Sequence, residues 1–320
     1  MTTITNQEAL ISTLYREATR VPPDQYRVWA LEQLSRVIEF DAAFWGSGNS
    51  ADIHFHYVCH IGLDDNYAHH LQKTLPLNPI KDMVISNLGR PVNMQDAFAD
   101  DDFYQSQLYH QLFKPYGIER ILAAGHFDND NGLYSLISLY RFDREHVFTR
   151  EEQQIQERMV FHLVSALSHA FFLHLRVGTA LEQTKDHASS AICDLNGCFH
   201  EVQPRFVTLL NQHFPNRSDV TLPFPIGKDQ TMVEINNLSI TFKSLGKLVL
   251  VTLRLPGPLD VLSQREKQIV TWICKGLSFK EVAKQLEVAP STVSNHLYRI
   301  YEKVGINSRS ELAQLVDSQN

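Results

Sequence analysis

Three groups of side chains in this 320-residue chain have the types and spacing to do chemistry. His54, His56 and the pair Cys59 and His60 form the densest cluster of metal-binding donors. On a strand, His54 and His56 would point to one face, and imidazole and thiolate are ligands that zinc accepts. The same pattern also suits a partly exposed strand face that binds nothing, and no second cluster supplies obvious further ligands, so no metal site is assigned. Cys193 and Cys198 bracket a hairpin turn and could form a redox pair, although four cysteines at 59, 193, 198 and 274 are not a disulfide framework. The acidic run Asp100-Asp101-Asp102 follows a loop-like segment instead of closing a strand, which argues against a phospho-acceptor site. There is no phosphate-cradling Gly-rich loop and no nucleophile paired with a base, so the chain reads as a non-enzyme without a cofactor.

The third group lies in the last sixty residues and suits recognition better than catalysis: Lys280, Thr292, Ser294, Asn295, His296, Tyr298 and Arg299. Asn can bind adenine through two hydrogen bonds, a Ser hydroxyl donates or accepts, and Lys and Arg supply phosphate charge. Short helices must position them. Ser263 with Glu266, Ser278 with Glu281, and Ser308 with Glu311 each make a capping box before an apolar run. Ile269, Val270 and Ile273, then Val282, Ala283 and Leu286, then Val293, Leu297, Ile300, Tyr301 and Val304 fall on successive helical faces. Gly276 ends the first of these helices, and Pro290 fits the first turn of the third.

These residues resemble the LuxR-type helix-turn-helix family over about 262 to 317. The resemblance is carried by Leu262-Ser263, Arg265-Glu266, Gly276-Leu277-Ser278, Lys280-Glu281, Ala283, Ser291-Thr292-Val293, His296, Tyr301, Lys303-Val304-Gly305, Arg309 and Glu311. It implies that the third helix lies in the major groove of double-stranded DNA. Ser294, Asn295 and Tyr298 would then face base edges, while Lys280, Thr292, His296 and Arg299 would meet phosphates. Many relatives carry Lys or Arg where Ser294 and Tyr298 stand, so the target sequence does not transfer. Tyr298 has a second reading, folded back on the core.

Charge divides the chain in the same place. From Leu262 onward eight Lys or Arg face six Asp or Glu, a net of +2, against −7 for the whole. So mild a basic charge argues for a homodimer that doubles the phosphate contacts. Leu312, Leu315 and Val316 on the last helix are the family's usual place for that contact, or else close the small core. Contact with RNA polymerase would fit the same class. No apolar stretch is read as membrane-spanning and the N-terminus has no signal-peptide pattern, so the expectation is a cytoplasmic protein with no membrane contact.

Ahead of the tail, the fold class reads as α+β. A helix around 26 to 38 leads into strands at 42 to 46 and 53 to 60, helices and loops fill 64 to 117, and strands follow at 121 to 127 and 133 to 141 around the turn at 128 to 132. This order resembles a GAF-like sensor domain, including autoinducer-binding domains, on Asp41, Asn78-Pro79, Arg90-Pro91 and Tyr116-Gly117-Ile118. Receptors for acyl-homoserine lactones usually carry Asp before the position of Pro79 and Trp shortly after that of Pro91. Here Asn78 and Asn93-Met94 occupy that region. The resemblance implies a small-molecule effector in a pocket walled by Phe44, Tyr57, Tyr67, Met83 and Phe103, aromatics that could equally be plain core.

A fourth capping box, Thr149 with Glu152, opens a long helical stripe: Ile155, Met159, Leu163, Leu167, Phe171 and Leu175. Its length exceeds what one domain covers, which points to parallel pairing with a second subunit. Residues 191 to 199 read as strand, turn, strand, Gln203-Pro204-Arg205-Phe206 opens a helix, and strands follow at 232 to 235, 239 to 244 and 248 to 255. This resembles a small PAS domain acting as relay or spacer. The expected layout is a GAF-like α/β/α sensor at 1-175, a connecting helix at 176-188, a β-rich PAS-like domain at 189-255 and an all-α helix-turn-helix domain at 256-320. A ligand-responsive, DNA-binding regulator is the reading; the alternative is a ligand-independent regulator or antagonist controlled by a protein partner or heterodimerisation.

Overall fold

Residues 6–49, 54–128, 133–181, 188–218, 221–227 and 231–319 are described by the computed structural model. Helices α1 (Asn6–Arg16) and α2 (Tyr26–Leu34) precede strands β1 (Ala42–Asn49) and β2 (Phe55–Ile61). Then come α3 (Tyr67–Thr74), α4 (Pro79–Ser86), the short β3 (Val92–Asn93), α5 (Met94–Ala97) and α6 (Asp100–Gln105). Strands β4 (Arg120–Asp128) and β5 (Leu133–Arg141) complete an antiparallel sheet of order β2-β1-β5-β4-β3. Of the expected turn at 128 to 132, residues 129 to 132 lie outside the described residues.

Period-two alternation splits this sheet into two apolar faces. Ala42, Phe44, Ile121, Ala123 and Tyr140 pack under α3, α4 and the segments up to Ile118. Ala43, Trp45, Leu122, Ala124, Ile137 and Leu139 pack under α1, α2 and a third helix, α7 (Arg150–Leu181). Thr149 caps α7 as its sequence suggests: the Glu152 amide donates to Thr149 Oγ1 at 3.2 Å, and the Thr149 amide donates to the Glu152 carboxylate at 2.8 Å. Asp100, first residue of α6, is held by two Arg120 hydrogen bonds at 2.8 and 2.9 Å, which makes it a structural ion pair.

After α7 come β6 (Ala188–Asp194), β7 (Phe199–Val202), α8 (Pro204–His213), β8 (Met232–Ile235), β9 (Leu238–Leu245) and β10 (Leu248–Arg254). They form a second antiparallel sheet of order β7-β6-β10-β9-β8, the topology of the first sheet repeated. One face packs on α8 through Ala191, Cys193, Phe199, Val249 and Val251. The other face presents Ile192, Leu248 and Leu250 to the core that contains Met159, Leu163, Leu167, Phe171 and Leu175 of α7. With 32 residues, α7 is about 48 Å long. The apolar stripe as far as Leu175 is therefore covered within the chain, in part by the second sheet. Sequence reading also missed that Arg150–Leu175 is long and apolar enough by composition to cross a membrane. Its apolar content matches a helix with one face in the core shared by both sheets, where Met159, Leu163, Leu167, Phe171 and Leu175 are buried.

The segment before α2 also meets the turn between β9 and β10. Asp24, just before α2, accepts the Lys247 amide at 3.3 Å, and its carboxylate occupies the space a Cβ on Gly246 would need. Gly246 has φ +69°, a conformation that side chains disfavour. Gly246→Ala should lower stability by about 1–2 kcal/mol in urea unfolding, from left-handed strain and the displaced Asp24. A smaller loss in an Asp24→Ala background would identify the carboxylate's share.

Candidate nucleic-acid interface and ligand cavity

The C-terminal helices are α9 (Gln264–Cys274), α10 (Phe279–Leu286), α11 (Pro290–Val304) and α12 (Arg309–Gln319). Ser263 and Ser278 each accept the amide three residues on, and Glu266 and Glu281 each accept the Ser amide in return. The third box is varied: the Glu311 amide donates to Ser308 Oγ at 3.2 Å, but the Glu311 carboxylate takes the Asn307 amide at 3.0 Å. Two arginines outside the expected set hold the helix ends. Arg265 donates to the Leu286 carbonyl at 2.6 Å, and Arg309 donates to the Ile273 carbonyl at 2.5 Å, both at helix C-termini where a cation is favoured. Their distance in sequence from the carbonyls they cap hid that role.

Helices α10 and α11 meet across a short turn in which Glu287 adopts φ +53°. Ile269, Val270, Ile273, Val282, Ala283, Leu286, Val293, Leu297 and Ile300 form a separate small core, and Leu312 of α12 closes it. The residues left outside that core are those singled out from the sequence. Lys280, Ser294, Asn295, Tyr298 and Arg299 are exposed, while Thr292 and His296 are half-buried. Tyr298 is 65% exposed, so it does not fold back on the core.

One ion pair between a buried carboxylate and an exposed lysine ties α9 to α11. Glu266 is 4% exposed, and both its oxygens accept from Lys303 Nζ at 2.8 Å, tying the start of α9 to the last turn of α11. Lys303 and the Ser263 hydrogen bonds hold the Glu266 carboxyl down to about 2, from an ordinary 4.5.

The cavity lies in the first sheet. A space of about 230 Å³ opens between the sheet and α4, walled by Phe55, Leu71, Leu75, Ile80, Val84, Leu88, Phe113, Ile121, Ala123 and Leu136. Asn78, Lys81, Tyr134, Ser135, Ser138 and Tyr140 are its polar groups. None of the five expected residues belongs to this wall. Phe44, Tyr67 and Phe103 stand one layer behind it: Phe44 packs edge-on to Phe55, Tyr67 donates a hydrogen bond to Tyr140 at 2.8 Å, and Phe103 lies 5.7 Å from the Phe113 ring. Met83 is about a third of a turn around α4 from the face that carries Ile80, Val84 and Ile85. Tyr57 belongs to the opposite face, where Arg27 lies 4.5 Å over its ring. Regular pairing puts Tyr57 there: it is opposite Ser47, on the face of Trp45 and Cys59, whereas a β-bulge pairs Gly48 with Phe55, leaves His56 extra and turns Phe55 to the cavity side. The spacing of Ile80, Val84 and Leu88, and of Leu71 and Leu75, was the available signal for this wall.

Helices α9 to α12, capped and sharing one core with α11 exposed, form a helix-turn-helix unit of the LuxR type. Residues 260–316 match the family described as bacterial regulatory proteins, luxR family. Over 50 residues the chain is 46% identical to the probable transcriptional regulatory protein NarL of Mycobacterium tuberculosis, which covers 16% of this chain and 23% of that protein. Over 59 residues it is 40% identical to the response regulator UvrY of Escherichia coli, covering 18% and 27%. The chain thus spans about a quarter of the length of these relatives. Among solved structures, Escherichia coli SdiA is similar at 13% identity over 97% of each chain with a TM-score of 0.40. CepR2 of Burkholderia cenocepacia is similar at 15% identity, over 55% of this chain and 99% of that one, with a TM-score of 0.35.

Glu266→Gln should cost about 2 kcal/mol near neutral pH, because it removes a charged acceptor from Lys303. The folded-state carboxyl lies below its ordinary value, so its contribution is present above about pH 4.5 and is lost as pH falls toward 2. Hydrogen exchange of the α9 and α11 amides in the full chain should therefore separate wild type from variant at neutral pH and converge in acid.

Proposed function

We propose that the protein is a homodimeric transcription regulator whose affinity for DNA responds to a small molecule held in the cavity of the first domain. The exposed recognition face of α11, within a segment matching the luxR family, is the observation that carries this reading. Ser294, Asn295 and Tyr298 would read base edges, and Lys280, Thr292, His296 and Arg299 would meet phosphates. The net charge of only +2 on the tail favours two copies acting together on paired half-sites. The wall of the cavity is mainly apolar with a few polar groups, which suits a small, largely apolar effector bearing a hydrogen-bonding group. An effector there would lean on α4 and the sheet whose other face supports α7, and so would reach the second sheet without contacting DNA.

Selection of duplexes from a random library, followed by binding assays, tests the DNA roles. Lys280→Ala should weaken selected and unrelated duplexes alike and reduce the salt slope by about 1. Asn295→Ala should cost about 1–3 kcal/mol, concentrated at one base pair. Equal losses across all positions for both variants would refute the assignment. For the effector, mass spectrometry should identify a molecule co-purifying with the chain, and adding it back should change the affinity for the selected duplex. Widening Ser138→Phe into the cavity should abolish that response while leaving unliganded DNA binding intact.

A further inference from the structure

Between the two sheets lies a polar group that neither the DNA-facing helix nor the effector cavity uses. Two histidines enter it by the same device. His56 is the extra residue of the bulge in β2, and His200 is the extra residue of a bulge in β7, where Cys193 pairs with Phe199 but Ile192 with Glu201. Their rings come within 5.5 Å of each other, although they sit on different sheets. Asp194 ends β6, and Cys198 follows the hairpin turn.

We propose that His56, Asp194 and Cys198 form a zinc-type metal site that fastens the first sheet to the second. One donor atom from each lies within 4.8 Å of the others. Ligand bonds of about 2.0–2.3 Å in a tetrahedral site place donors roughly 3.3–3.8 Å apart, so closure takes shifts of about an ångström. The donors are a nitrogen, an oxygen and a sulfur, a set that suits zinc and its neighbours and not magnesium or calcium.

The polar atoms are arranged as ligands would be. Both ring nitrogens of His56 are buried with no hydrogen-bond partner among the described residues. Asp194 Oδ1 accepts the Asn196 and Cys198 amides at 2.8 and 2.9 Å, which orients the carboxylate, while its buried Oδ2 has no partner among them. Buried groups in that state are costly, and coordination removes the cost. Cys193 belongs to the core on the other face of the sheet, and both it and Cys198 are free thiols. The His56 that sequence reading placed in a cluster with His54 and Cys59 instead finds its co-ligands some 140 residues away.

Coordination would release the Cys198 thiol proton to solvent, and the resulting thiolate with the Asp194 carboxylate neutralises a dication. Arg27 remains beside them as a cation, donating to His200 Nδ1 at 3.1 Å, and favours an anion such as hydroxide or chloride in the fourth position. Since His56 comes from one sheet and Asp194 and Cys198 from the other, the ion would raise the stability of their docking.

The test uses the full chain after metal removal. Equilibrium dialysis against Zn²⁺ should give one tightly bound equivalent, and titration with Co²⁺ should give tetrahedral visible bands with a thiolate-to-cobalt charge-transfer band. Cys198→Ser should lose the charge-transfer band, His56→Ala should lose the bound equivalent, and His54→Ala should keep both. Zn²⁺ should raise the unfolding midpoint of wild type and not of the first two variants. Wild type without a thiolate band overturns the proposal with no variant needed, as does a band retained in Cys198→Ser or an equivalent retained in His56→Ala.

Discussion

The burial of α7 between two sheets is the constraint on which the rest of the structure depends. Met159, Leu163, Leu167, Phe171 and Leu175 recur every four residues and are all within the core. Fully burying five such side chains contributes on the order of 10 kcal/mol before conformational entropy is subtracted. Because the first sheet takes up one part of the helix and the second sheet another, the two sheets share one core. Each remaining face is then free to specialise: the far face of the first sheet encloses the cavity, and the far face of the second packs on α8.

Polar contacts at that junction refine what the apolar core sets up. Arg27 is 3% exposed and lies over Tyr57 and Trp45 while donating to His200, and Asp24 meets the tight turn at Gly246. Buried polar groups make register specific, because a shift that breaks them leaves charge without compensation. Burial and the Arg27 charge hold His56 down to about 4 and His200 well below the usual range, so both imidazoles are neutral near pH 7. The helix-turn-helix domain, by contrast, has its own small core, closed by Leu312 and tied by Glu266 to Lys303.

Much of the fold was legible because local signals repeat at short range. Four capping boxes marked helix starts, and all four engage, with Glu311 shifted by one amide. The strands at 232–235, 239–244 and 248–255 fell within a residue of β8, β9 and β10. The cavity was less legible. Aromatic side chains are large and conspicuous, yet Phe44, Tyr67 and Phe103 pack behind the wall, which is built mainly from aliphatic residues and Phe55. A bulge at His56 turned Phe55 to the cavity side, and no local pattern announces an inserted residue whose effect depends on the neighbouring strand.

Properties carried by neighbours in the chain were thus settled by sequence alone: helix caps, strand alternation, the exposed face of α11 and the charge difference between the tail and the remainder. Those signals act over three or four residues, the range of a capping bond or a helical turn. Tertiary structure decided whatever requires residues far apart to meet. It placed the second sheet on α7, gave the cavity its walls, and brought His56 to Asp194 and Cys198. The physical reason is that packing and bulges, not composition, determine which face of a strand looks across an interface.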